Sequence, residues 1–310
     1  MNFVEQKNGR ASLQQHGPDR SSLGTKALSI DEVWKVIAAL GALEPPPSPR
    51  PIVGPVLTWL RKCLWRLIGV KLTLRQVAAI VNGIVDSHLR FREGTADRAI
   101  WLEVNSTNEY RLPESFAPDN IVIDVGMHIG SFCYAASLRG CRNVYGFEAD
   151  AENFSLAVHN LQRFGERVHL YHKAVWRSDR TGDTLFHAGY GGDNTGGGSI
   201  LYNTTGDKLD VIAFDEIIRD VTKEGQKRVR LLKIDCEGSE FPILLTSRLL
   251  HLIDSIHGEY HNCSISPVAR VDGVSHFTIA ELGQHLQKAG FTVKSLANND
   301  NVGLFFATRG

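Results

Sequence analysis

Apolar and polar positions follow two different rhythms along the chain, and the change falls near Asn120. Before it the spacing is helical. Val56, Leu57, Trp59, Leu60, Cys63, Leu64, Leu67 and Ile68 lie on one arc at a 3.6-residue period, with Arg61, Lys62 and Arg66 mostly opposite. Val77, Ile80, Val81, Ile84, Val85 and Leu89 then recur at i, i+3, i+4 spacing. A shorter helix is expected over Asp31–Ala42 with Ser29 as its N-cap, and the stiff PPPSPRP run at Pro45–Pro51 stops it. Residues 1–28 are polar and offer too little apolar surface to offset the entropy of ordering, so they read as a disordered tail.

After Asn120 the apolar runs shorten and alternate with helical stretches. Ile121–Val125, Val144–Phe147, Val168–Tyr171, Val229–Ile234 and Ser255–Glu259 have the length and character of buried strands. Such alternation predicts βαβ units, hence an α/β domain whose parallel sheet carries helices on both faces. Phe291–Lys294 and Val302–Thr308 flank the turn residues Asn298–Asn301, which predicts a C-terminal antiparallel hairpin. The expected division is a tail at 1–28, a helical accessory region with its Pro-rich linker at 29–98, and an α/β domain at 99–310.

Composition narrows the partners. Lys+Arg and Asp+Glu stand at 34 each, so no long-range field draws in nucleic acid, and none is expected as a partner. The five cysteines form no CxxC pair, which argues against a zinc site and a disulfide framework and for a reducing, cytoplasmic setting. The first residues lack the apolar core of a signal peptide, and no apolar run reaches the ~18 residues that span a bilayer. The basic amphipathic stretch 56–68 leaves two readings open. One is peripheral contact with an anionic membrane; the other, preferred, is packing on the catalytic domain or on a second subunit of a homo-oligomer.

Three strand ends carry the chemistry. Ile121–Gly130 is an apolar strand ending at Asp124–Val125, then a turn framed by Gly126 and Gly130, then the start of a helix. Glycine lets backbone approach a ligand, and a helix start presents unpaired N–H groups to it. The spacing is D-x-G-x-x-x-G rather than the G-x-G-x-x-G of a pyrophosphate cradle. An acid before the first glycine suits the ammonium of a methionine moiety and would repel a pyrophosphate. Glu148, at the tip of the next strand, can accept hydrogen bonds from both hydroxyls of a ribose. Together these point to S-adenosylmethionine. Further on, Asp235 ends a strand on the crevice side of the sheet, with Lys233 two residues earlier on the same face. Glu259 and His261 alternate around Tyr260 on the adjacent strand and face one way, toward Asp235. The glycine-rich Ala188–Ser199 reads either as a mobile lid or as a plain connection.

DVGMHIGS (Asp124–Ser131), GFEADAEN (Gly146–Asn153), KAVW (Lys173–Trp176), KIDCEGSE (Lys233–Glu240) and EYH (Glu259–His261) together resemble the FkbM family of methyltransferases. The resemblance runs from Asn120 to the C-terminus, and KIDCEGSE followed by Glu-x-His is its most specific part. It implies a seven-stranded Rossmann-like sheet of the class I methyltransferase type, S-adenosylmethionine as donor, and O-methylation of hydroxyls on sugars, glycans or polyketide-like natural products. It carries cofactor roles to Asp124, Gly126, Gly130 and Glu148, places Ala174 and Val175 near the adenine, and sets Asp235 beside the reacting centre. The family usually has Ala-Asn at Met127-His128 and Pro at Ala149, so His128 is expected to touch the methionine end of the cofactor.

The expected chemistry is an in-line methyl transfer to a hydroxyl of a small-molecule or glycan acceptor. His261 is the expected base, with Asp235 and Glu259 orienting the acceptor. A variant has the same three residues holding Mg²⁺, which is not favoured by sequence alone, so no metal ligand is assigned. The competing functions are a non-catalytic module that binds the cofactor or a glycan and, less well matched, a nicotinamide oxidoreductase.

Overall fold

Ile121, Val122, Ile123, Asp124 and Val125 are all buried, and this five-residue strand, β1, lies inside the sheet, paired along both edges. The computed structural model describes Lys62 and residues 89–310, apart from 188–191 and 202–204. The tail, the Pro-rich linker and the helices expected before residue 89 lie outside the described residues, as does part of the glycine-rich segment.

In chain order the elements are α1 (Asp97–Asn105), β1 (Ile121–Val125), α2 (Ser131–Leu138), β2 (Asn143–Glu148), α3 (Ala151–Leu161), β3 (Val168–His172), β4 (Ala174–Trp176), β5 (Phe186–His187), β6 (Asp207–Lys208), β7 (Val211–Ala213) and α4 (Phe214–Thr222). Then come β8 (Val229–Ile234), α5 (Glu240–Thr246), β9 (Ser255–His261), α6 (Ile279–Lys288), β10 (Thr292–Ala297) and β11 (Val302–Thr308). The main sheet has seven strands in the order β10-β11-β9-β8-β1-β2-β3. Strands β1, β2, β3, β8 and β9 pair in parallel, whereas β11 runs antiparallel to both β9 and β10. This is the class I methyltransferase sheet, with its reversed strand and the expected C-terminal hairpin.

Two apolar clusters cover the two faces. Ile123, Val125, Leu232, Ile234, Phe241 and Ile256 belong to one. Val122, Phe132, Ala135, Val144, Trp101 and Tyr110 belong to the other. The second cluster takes in α1 and the segment after it. Trp101 meets Tyr134 of α2 edge-on at 4.7 Å between ring centroids, and Tyr110 meets Phe132 at 5.8 Å. Aromatic pairs in this geometry contribute about 0.5–1.5 kcal/mol each beyond the area they bury. The described segment directly ahead of β1, residues 89–120, is therefore fastened to the sheet, which brings its polar side chains to the strand tips.

Candidate active site

The order of strands reverses direction at β1: the chain proceeds outward through β2 and β3 on one side and through β8 and β9 on the other. In open α/β sheets ligands bind outside the carboxyl ends of the strands at such a point. A cavity of about 320 Å³ opens there, and its lining includes Gly126, His128, Glu148, Val175, Asp235 and Glu259.

The end of the cavity at the tips of β1 and β2 is organised by backbone. Glu148 accepts from the His128 amide at 2.7 Å on one oxygen and from the Asp150 amide at 2.9 Å on the other. Burial pushes its carboxyl above the ordinary range, and those two N–H bonds oppose the rise. The carboxylate is thereby fixed in orientation, and each oxygen keeps further accepting capacity. Ala174 and Val175 are buried in the wall beside it. His128 holds a left-handed backbone, φ 53°, and its ring Nε2 lies 2.8 Å from Thr195 Oγ1 and 3.2 Å from Asp97 Oδ1. Arg92 donates to Asp97 at 2.8 Å and to Asn153 at 2.6 Å. Burial opposes the Asp97 charge, but bonds from His128, Arg92 and Thr195 outweigh it and hold the carboxyl well below its usual range. His187 Nε2 lies 2.8 Å from Asp150 Oδ2, a contact that raises the imidazole pKa. On both His128 and His187, which line the cavity, Nδ1 is buried and meets no hydrogen-bond partner among the described residues.

Two glycines work differently from expectation. A Cβ on Gly126, at φ +74°, would lie 1.9 Å from the Asp235 carbonyl oxygen, and one on Gly130, at φ +89°, would lie 2.6 Å from Leu161. The close approach that demands glycine is between protein segments, loop to loop at Gly126 and helix to helix at Gly130. Gly126 also lines the cavity, whereas Gly130 does not. Asp124 is corrected as well. Its side chain is fully buried, does not line the cavity, and pairs with Lys233 Nζ at 3.2 Å. Lys233 also donates to the Gly126 carbonyl at 2.5 Å. Burial works against its charge, yet Asp124 and Asp235 keep its pKa above the usual lysine range. The acid before the first glycine thus braces the cofactor loop through an internal ion pair.

The end at the tips of β8 and β9 is organised by side chains. Asp235 accepts from the Tyr110 hydroxyl at 2.8 Å. Glu259 receives Asn298 Nδ2 at 3.4 Å. Strand β9 alternates buried and half-buried residues, so Glu259 and His261 share a face, with His261 Nε2 3.7 Å from Glu259 Oε2. His261 Nε2 is also 3.4 Å from Glu237, and its Nδ1 is 3.1 Å from Glu240. Glu240 has no exposed surface and accepts from the amides of Gly238 and His261, both at 2.8 Å.

This surrounding corrects the role expected for His261. Burial disfavours the imidazolium, but Glu240, Asp235 and Glu237 overcome that and lift its pKa to about 10. A ring held protonated through neutral pH cannot accept a proton from a hydroxyl. Nor does His261 line the cavity; Asp235, Glu237 and Glu259 do. Burial and the neighbouring Asp235 push Glu259 up to about 8.

The structure brings Asp235, Glu259 and His261 together, one potential ligand atom of each within 4.8 Å of the others. Tyr110, Arg92, Asp97, Thr195 and His187 were not foreseen, since apart from the Arg92–Asp97 pair their partners are distant in sequence, and Glu240 was not singled out. Spacing carries no signal for the first five. The isolated tyrosine in Asn108-Glu-Tyr-Arg111 has nothing around it to mark a function.

Among known families, the methyltransferase FkbM domain matches residues 124–292. No curated protein matches the chain. Two similar solved structures are a precorrin-6y C5,15-methyltransferase from Geobacter metallireducens and a ribosomal protein L11 methylase from Lactobacillus delbrueckii subsp. bulgaricus. The first is 14% identical, covers 74% of this chain and 97% of its own, and has a TM-score of 0.38. The second is 14% identical, covers 61% and 70%, and has a TM-score of 0.29. At these scores neither carries an argument about substrate. No helix among the described residues is long and apolar enough to cross a membrane.

Proposed function

The chain belongs to the methyltransferase FkbM domain family, and from that premise we propose that it transfers a methyl group from S-adenosylmethionine to a hydroxyl of a polyhydroxylated acceptor, a sugar or glycan or a polyketide-like natural product. One observation supports the reading above the others. A single cavity joins Glu148 at the tip of β2 to Asp235 and Glu259 at the tips of β8 and β9.

The residues present fit the cofactor. Glu148 would take the ribose hydroxyls, and Ala174 and Val175 would face the adenine. The orphaned Nδ1 atoms of His128 and His187 supply polar partners, His128 toward the methionine end. When bound, S-adenosylmethionine supplies an electrophilic methyl on a sulfonium. The chain must then orient an acceptor oxygen, keep water out and receive the hydroxyl proton. Asp235 stands where the two ends meet, and its carbonyl backs directly onto Gly126 of the cofactor loop. Its carboxylate, held by Tyr110, would accept from the acceptor hydroxyl, and the Glu259 carboxyl, pushed up to about 8, would stand beside it as a second hydrogen-bonding group.

Charge supports this class of acceptor. Glu103, Glu109, Asp235, Glu237, Glu259 and Asn298 line the acceptor end. Such a wall offers hydrogen-bond acceptors to hydroxyls and repels a phosphodiester backbone. It favours a neutral polyol over nucleic acid, which the balanced net charge does not attract either. The test is transfer of an isotopically labelled methyl to a panel of glycosides, polyketide alcohols and RNA, with mass spectrometry of the product. Label on a hydroxyl oxygen is expected. Label on RNA, or on nitrogen or carbon, would overturn the acceptor assignment.

A further inference from the structure

The acidic corner has a feature that the methyl-transfer reading does not use. His261 is bonded through Nδ1 to the fully buried Glu240, at 3.1 Å, and this turns Nε2 the other way, toward Glu237 and Glu259. One potential ligand atom each from Asp235, Glu259 and His261 lies within 4.8 Å of the others. We propose that these three side chains form a divalent-cation site of the Mg²⁺ or Mn²⁺ type beside the acceptor, the ion taking the place of the His261 Nε2 proton, which leaves to water. The proposal rests on the methyltransferase reading for its function, but not for its existence.

Three observations carry it. The ligand set is mixed, two carboxylates and one imidazole, drawn from two neighbouring strands whose register brings Lys233 opposite His257 and Ile234 opposite Gly258. Oxygen ligands with one imidazole suit a hard or borderline dication.

Each ligand also has an outer partner that fixes its orientation. Tyr110 donates to Asp235, Glu240 holds His261 Nδ1, and Asn298 reaches Glu259. A histidine whose far nitrogen is bonded to a buried carboxylate is the common arrangement behind a metal-bound imidazole. Glu240 receives two backbone amides besides, so that carboxylate is itself locked in place.

Charge is the third observation. Asp235, Glu237, Glu240 and Glu259 surround one imidazole, and the nearby Lys233 is already engaged by Asp124 at 3.2 Å. Carboxylates gathered at this density around one ring repel one another, and a dication relieves that repulsion beyond what Lys233, 3.8 Å from Asp235, supplies. With the ion in place, an acceptor hydroxyl bound to it would lose its proton more readily, because the cation stabilises the alkoxide. The proton leaves to a carboxylate or to water, and the oxygen then attacks the methyl carbon as the carbon–sulfur bond breaks.

The site is tested without turnover. Mn²⁺ is titrated into the full-length chain, previously stripped with EDTA, and free Mn²⁺ is followed by electron paramagnetic resonance; S-adenosylhomocysteine binding is measured on the same samples by calorimetry. One Mn²⁺ per chain is expected, displaced by Mg²⁺. Glu259→Gln and His261→Ala should each weaken Mn²⁺ at least tenfold, and Asp235→Asn likewise. Retained S-adenosylhomocysteine affinity and circular dichroism show that each variant is folded. If His261→Ala does not fold, Glu259→Gln, at a partly exposed position, decides the matter alone. Failure to bind Mn²⁺ at millimolar concentration, or equal binding by folded variants, overturns the site. Cofactor binding without Mn²⁺ binding sinks this proposal and spares the methyltransferase reading; Mn²⁺ binding without cofactor binding does the reverse.

Discussion

The two ends of the cavity are built by different means. At the cofactor end, backbone amides of His128 and Asp150 hold Glu148, and the loop that supplies one of them is continuous with β1. At the acceptor end, side chains far apart in sequence hold one another. Tyr110 reaches Asp235 across 125 positions, and Glu240 reaches His261 across 21. The first construction tolerates side-chain change around a fixed main-chain cradle. The second depends on the identity of each partner, and it collects negative charge that only specific neighbours can balance. Gly126 is where the two meet, because its missing Cβ is what lets the Asp235 carbonyl pass.

This difference can be broken or sharpened by substitution. The largest effect is expected at Asp235. Asp235→Asn should slow methyl transfer by about 10²–10⁴-fold, the usual range for losing a group that handles the proton, while S-adenosylhomocysteine affinity stays within about twofold. Turnover of labelled methyl and calorimetry on one preparation check both halves. Equal losses in both would mean that the two ends are not separable.

Next comes the buried cluster behind the cofactor loop. Asp97→Ala leaves Arg92 and His128 without their shared carboxylate, and breaking a buried charged network in this way costs about 3–5 kcal/mol of stability. Denaturant unfolding measures it. The same cluster sets a pH dependence. A carboxyl held below its unfolded value contributes stability above about pH 4, and that contribution is lost as the pH falls through the range between the unfolded and folded values. The wild type should therefore lose stability on acidification below pH 4 more steeply than Asp97→Ala. Parallel acid profiles would contradict this.

A smaller loss is expected at Glu148. Glu148→Ala should weaken S-adenosylhomocysteine by ~2 kcal/mol or more, the scale of losing charge-assisted hydrogen bonds. Smallest is Tyr110→Phe, which removes one hydroxyl from Asp235 and should lower kcat by about fivefold, near 1 kcal/mol, with cofactor affinity unchanged. A fall in cofactor affinity instead would place Tyr110 with the other end.

What was legible in the sequence follows the same division. The strands β1, β2, β8 and β9 stand where their apolar runs lie, because buried parallel strands carry a continuous local signal, while the antiparallel hairpin β10–β11 was legible from the turn residues between its strands. Glu148, Asp235, Glu259 and His261 were legible because strand ends and period-two alternation fix their side of the sheet. The short strands β4, β5, β6 and β7 were not, since two or three residues give no periodicity. Neither was the partnership of Asp124 with Lys233, nor the enclosure of His261 by carboxylates. Those belong to tertiary pairing, and the second turned an expected base into a charged ring.

The most direct test of the central claim is calorimetry of S-adenosylhomocysteine against wild type, Glu148→Ala and Asp235→Asn, with NADH as control. Tight binding to the wild type, at least thirtyfold weaker binding to Glu148→Ala, near-normal binding to Asp235→Asn and no competition from NADH are expected. Tighter binding of NADH, or equal losses in the two variants, would contradict a cavity with its cofactor at one end and its acceptor at the other.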